Sequence, residues 1–151
     1  MIPTRTRDIL SKSPLMTRCI HTYRDGHICK GRLTWEHSCY YAGKQIQNWW
    51  SIVPCCQSMN NDVHGLDKKY NQWVALQRAS AIDVLKFPCK DWLTLARYLD
   101  SLFELTPQLN LAILRERDYL IQIGFKRENE IWQWWLPEIV AKLTELERIE
   151  Q

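Results

Sequence analysis

Residues 32–64 read R-L-T-W-E-H-S-C-Y-Y-A-G-K-Q-I-Q-N-W-W-S-I-V-P-C-C-Q-S-M-N-N-D-V-H, and the architecture of the chain is inferred outward from them. Leu33 and Trp35 alternate with Thr34 and Glu36, the two-residue period of a half-buried strand. The segment from Trp49 to Cys55, with Ile52 and Val53, suits its partner strand. The connection holds Gly43 and three polar donors, Lys44, Gln45 and Gln47; it either lies along a phosphate backbone or is simply solvated. A helix is expected to open between Pro54 and Ser58 and to carry Asn60 and His64. Two strands followed by a helix make this an α+β arrangement.

The chemistry centres on Glu36-His37. Neighbours on an extended segment point to opposite faces, so one can hold a metal ion while the other works as a base. Asn60 and His64, four residues apart, share a face if the segment is helical, and both then reach the ion that Glu36 begins to bind. The pattern is that of a divalent-metal hydrolytic site.

Over roughly residues 19–80 the stretch resembles the HNH, or ββα-metal, endonuclease family, and it is similar to phage or prophage members. Glu36 and His37 match the acidic-His pair of the first strand. Ser51 falls at the family's Asn, Cys56 and Met59 at its two Cys, Asn60 at its His and His64 at the final His. The resemblance implies a small ββα-metal hairpin-helix core followed by a mainly helical C-terminal half. It further implies a metal-dependent DNA endonuclease or nickase in which His37 is the base and Glu36, Asn60 and His64 face one divalent cation. Glu and Asn are hard oxygen donors, so that ion is expected to be Mg²⁺ or Mn²⁺ rather than Zn²⁺. Ser51, or Asn48 as its substitute, is expected to orient the base, and Arg32, Lys44, Gln45, Lys68 and Lys69 to contact DNA. Many members also clamp the hairpin with a four-Cys zinc knuckle. Cys29 and Cys56 occupy knuckle positions, but Gly26 and Met59 stand where their partners belong. A residual pair of thiols and no structural Zn²⁺ is therefore expected, unless Cys19, His21 or His27 completes the set.

The charge distribution agrees with a nucleic-acid partner for the first part of the chain. Residues 1–90 carry 13 Lys or Arg against 6 Asp or Glu, while residues 91–151 carry 7 against 11, so only the part with the motif suits phosphates. The expected divisions are a basic arm over 1–18, extended or partly disordered, the HNH-like domain over 19–90 and a helical region over 91–151. No apolar run approaches a membrane span and the N-terminus lacks the apolar stretch of a signal peptide, so a cytoplasmic protein with thiols rather than disulfides is expected.

Beyond the motif, Leu66, Tyr70, Trp73 and Leu76 lie at helical spacing and read as core. Ser80 to Asp83 reads as a variant capping box that opens a short helix. A helix is expected from Trp92 to Leu105. Thr106-Pro107 offers an N-cap and first helical residue, with Gly124 at the matching C-terminus. The last helical pattern has a kink at Pro137 and carries Trp132, Trp134 and Trp135, which pack on the motif domain or form a protein-partner surface. The alternative function is accordingly a catalytically inactive, HNH-fold DNA-binding or protein-interaction subunit of a phage DNA-processing complex.

Overall fold

The computed structural model describes residues 2–24, 29–56, 65–79 and 92–124. The alternating segment forms strand β1, Leu33–His37. A small ribbon follows, in which β2, Tyr40–Tyr41, turns through Ala42 and Gly43 into β3, Lys44–Gln45. Both turn residues have positive φ, 52° and 78°, the two-residue hairpin geometry whose twist matches its flanking strands. A 3₁₀ turn at Trp49–Ser51 then leads into β4, Ile52–Cys56.

Strands β1 and β4 pair antiparallel, from Leu33 opposite Cys56 to His37 opposite Ile52. Directly opposed residues share a face, so Thr34, Glu36, Val53 and Cys55 line one side and Leu33, Trp35, His37, Ile52 and Cys56 the other. Every residue of β4 is buried. That explains a correction: Pro54 to Cys56, expected at the opening of a helix, stay in the strand. A continuous apolar run is what a strand covered on both faces requires, and the helix at Leu66–Arg78 and the N-terminal 3₁₀ turns at Pro14–Thr17 and Ile20–Tyr23 all pack against this strand.

Helix α2, Leu66–Arg78, begins only after Gly65, whose φ of 78° is open to glycine without a Cβ clash. Gly65 is the N-cap of this helix. Asn60 and His64 precede α2 and, with the rest of 57–64, lie outside the described residues. Tyr70, Trp73 and Leu76 are buried as expected, whereas Leu66 in the first turn is exposed.

The N-terminal segment also departs from expectation. Residues read as an extended arm form helix α1, Thr4–Ser11, followed by 3₁₀ turns at Pro14–Thr17 and Ile20–Tyr23. Leu10, Leu15, Met16 and Ile20 are all buried in the common core. Pro14 and the interleaved polar residues break the periodicity that would announce such anchors in sequence, and tertiary burial supplies what local propensity lacks.

The remaining described elements are α3, Trp92–Leu102, and α4, Pro107–Gln122, both packed on α2. The Thr106 hydroxyl accepts from the Leu109 amide at 3.2 Å, Pro107 sits in the first turn, and Gly124 follows the helix with φ 74°. Cap, proline and terminal glycine are where the sequence puts them. The fold is α+β, with two small antiparallel ribbons among several helices. No helix of the described residues is long and apolar enough to cross a membrane. The expected helix from Ser80 and the segment with Trp132, Trp134, Trp135 and Pro137 lie outside the described residues.

Candidate functional site

His37 ends β1 on the face opposite Glu36, as expected of neighbours on a strand. Its Nε2 lies 2.8 Å from Gln47 Oε1. An amide oxygen only accepts, so Nε2 carries the proton and the ring lone pair lies on Nδ1. Gln47 reaches this position because the tight Ala42-Gly43 turn sends the chain straight back along β2, and Ile46 continues the ribbon by donating its amide to Cys39 O at 2.9 Å. The buried side chains of Ile46 and Cys39 anchor that return, leaving the next residue, Gln47, beside the imidazole.

Ser51 and Asn48, expected to orient the base, do other work. The fully buried Ser51 hydroxyl accepts from the Cys39 amide at 3.1 Å, and its carbonyl accepts from the Ser38 amide at 2.8 Å, fastening the exit of β1 to the entry of β4. The Asn48 carbonyl accepts from the Ser51 amide within the 3₁₀ turn. The orienting contact to His37 comes from Gln47, a residue sequence spacing did not single out for that role.

On the other face, half-buried Glu36 lies near Cys55. Burial pushes the Cys55 thiol up, and the Cys19 thiol and Glu36 carboxylate reinforce the shift. Cys55 Sγ donates to Asn71 Oδ1 on α2 at 3.4 Å. That oxygen also lies 2.6 Å from His21 Nε2, while Arg24 Nη1 lies 2.9 Å from His21 Nδ1 and 2.6 Å from Asp67 Oδ1. Guanidinium only donates, so Nδ1 accepts and Nε2 donates to Asn71: both nitrogens of the buried, neutral His21 are occupied. His21 is a structural pin, not a metal ligand.

Cys29 and Cys56 do come together, and of the three candidates to join them, Cys19, His21 and His27, it is Cys19 that does so among the described residues. Cys19, Cys29 and Cys56 place their sulfurs within 4.8 Å of one another. The Cys56 amide donates to Cys19 Sγ at 3.2 Å. All three are thiols rather than disulfides. Burial pushes the Cys19 thiol up to about 12 against the backbone hydrogen bonds from Cys56 and His21, and desolvation does the same for the fully buried Cys39, also to about 12. Nothing in the spacing of Cys19 distinguishes it from Cys39 or Cys55; the 3₁₀ turns on either side of it bring it to the hairpin.

Of the expected DNA contacts, Arg32, Lys44, Gln45 and Lys68 are exposed, and Lys69 Nζ donates to Tyr98 Oη at 3.0 Å. Asn60 and His64 are not among the described residues, so of the three residues expected to face an ion only Glu36 is described. No protein-family model matches the chain, and no solved structure matches it. Chemically, the described site offers an oriented imidazole, a carboxylate on the adjoining position and, apart from both, a group of three sulfurs.

Proposed function

We propose that the chain is a metal-dependent DNA endonuclease or nickase of the HNH, ββα-metal type, with His37 as the general base. The observation that carries the reading is the 2.8 Å contact between His37 and Gln47 beside Glu36. A base must present an unprotonated nitrogen to water, and an accepting amide oxygen at Nε2 holds the imidazole in the tautomer with Nδ1 available.

In this mechanism Nδ1 of His37 takes a proton from water as its oxygen attacks phosphorus, and the bond to the departing sugar oxygen breaks on the opposite side. The Glu36 carboxylate is a hard donor suited to Mg²⁺ or Mn²⁺, with Asn60 and His64 as the further ligands. Such an ion supplies positive charge against the negative charge that develops at the phosphate and leaving oxygen. Among the described residues β1 pairs with a strand on one side alone. A substrate backbone lying along its outer edge meets both the Glu36 and the His37 faces. Exposed Arg32 and Lys44, at the two ends of that region of chain, add attraction for phosphates.

Supercoiled plasmid incubated with the protein and Mg²⁺, Mn²⁺ or EDTA provides the test. Nicked or linear product is expected with either ion and none with EDTA, and His37→Ala should slow cleavage by roughly 10²- to 10⁴-fold, the usual worth of a general base. Duplex binding with steep salt dependence and no cleavage under any ion would replace this reading with that of a non-catalytic DNA-binding subunit.

A further inference from the structure

Three sulfurs drawn from three separate parts of the chain converge at the base of the hairpin. Cys19 lies between the two N-terminal 3₁₀ turns, Cys29 precedes β1, and Cys56 is the last residue of β4. Points no more than 4.8 Å apart share a centre within about 2.8 Å of each, against a Zn–S bond of about 2.3 Å. Closing the site on an ion thus requires each sulfur to move by about half an ångström or less. The Cys56 amide already donates to Cys19 Sγ, the kind of outer hydrogen bond that steadies a metal thiolate. The other buried thiols are engaged elsewhere, Cys55 with Asn71 and Cys39 with Ser51.

We infer that Cys19, Cys29 and Cys56 form a Zn²⁺ site that fastens the N-terminal segment to the hairpin, separate from the ion of the proposed hydrolytic centre. Sulfur is the donor a borderline-soft ion selects, whereas Mg²⁺ and Ca²⁺ prefer oxygen. Each Zn–S bond forms as one thiol releases its proton to solvent, and three thiolates leave one tetrahedral position for a water or a further donor. Because Cys19 is the only one of the three within residues 2–24, the ion acts as a cross-link that holds this segment and α1 against the core. This site stands on its own geometry and does not depend on the nuclease reading.

The test uses the full chain, reduced and stripped with chelator, titrated with Co²⁺ and then Zn²⁺. A thiolate-to-cobalt charge-transfer band that saturates at one equivalent and is displaced by Zn²⁺ is expected, together with slower proteolysis within residues 2–24. Cys19→Ser and Cys29→Ser should each weaken uptake by more than the roughly 10- to 100-fold typical of losing an outer-shell partner. Cys19→His, which keeps a donor, should retain uptake with a weaker sulfur band. Cys39→Ala should titrate like the parent, and so should His37→Ala, which separates this site from the hydrolytic one. Absence of the sulfur band in the parent would overturn the inference. An undiminished band in both serine variants would overturn it equally.

Discussion

At the scale of single residues, Gln47 governs what His37 can do. Its amide oxygen fixes the Nε2–H tautomer through the 2.8 Å contact, so Gln47→Leu should free the ring to exchange tautomers while leaving both faces of β1 in place. Nitrogen-15 shifts of the His37 ring should report a single tautomer in the parent and a mixture in the variant, and, under the proposed nuclease reading, plasmid cleavage should fall roughly 10- to 100-fold, the usual cost of losing an orienting partner. A mixture already present in the parent would sink the assignment of Gln47 as positioning residue. Glu36 and His37 were legible in sequence because strand alternation alone sends neighbours to opposite faces. Gln47 was not, because its approach depends on where a ribbon turns; Cys19 was legible only as one of three candidates, because its approach depends on two 3₁₀ turns that leave no periodic trace. Ser51 occupied the expected position but spends its hydroxyl on the Cys39 amide.

At the scale of elements, the β2–β3 ribbon is the lever that delivers Gln47, and its turn carries a cost. Ala42 has φ 52° without being glycine, and the left-handed region places Cβ against the backbone at about 1–2 kcal/mol for an ordinary residue. Asn tolerates this conformation through its short polar side chain and is the favoured partner of a following glycine in such turns. Ala42→Asn should therefore raise stability by about 0.5–1 kcal/mol, seen as a thermal midpoint higher by a few degrees. Ala42→Val should lower it, since a branched Cβ is worse placed still. A reversed order of the two variants would show that the turn does not hold this geometry in solution. Helix ends were the most legible elements: Thr106, Pro107 and Gly124 each act through local chemistry that needs no tertiary partner. The boundary after β4 was misread because Pro54 and the two cysteines suit either a helix start or a strand buried on both faces, and only packing decides between them.

At the scale of the whole molecule, one buried ion pair joins segments that are far apart in sequence. Leu109, Ile113, Glu116 and Leu120 form the buried stripe of α4, so a carboxylate occupies a core position. Arg78, at the end of α2 and fully buried, meets it with Nε to Oε1 at 2.6 Å and Nη2 to Oε2 at 3.0 Å. Its Nη1 also donates to the carbonyls of Trp50, at 3.2 Å, and Ile52, which lead into β4. Ser13 of the N-terminal segment donates to Glu116 Oε2 at 2.5 Å. One cluster thereby binds the N-terminal segment, the hairpin, α2 and α4. The two ends of α4 are readable in sequence, but which of its residues are buried and which cation neutralises its glutamate are tertiary facts. Removing either charge strands the other in the core, and broken buried pairs of this kind cost about 3–5 kcal/mol. Glu116→Leu and Arg78→Met should each destabilise by that order in urea unfolding. The double variant leaves no uncompensated charge and should be less destabilised than either single. It should nevertheless stay below the parent by about 1–3 kcal/mol, because the Trp50 and Ile52 carbonyls lose their donor. Simple additivity of the two single effects would mean that the charges do not interact across the core. A double variant as stable as the parent would show that neither the carbonyl contacts nor the ion pair adds net stability over apolar side chains packed in the same place.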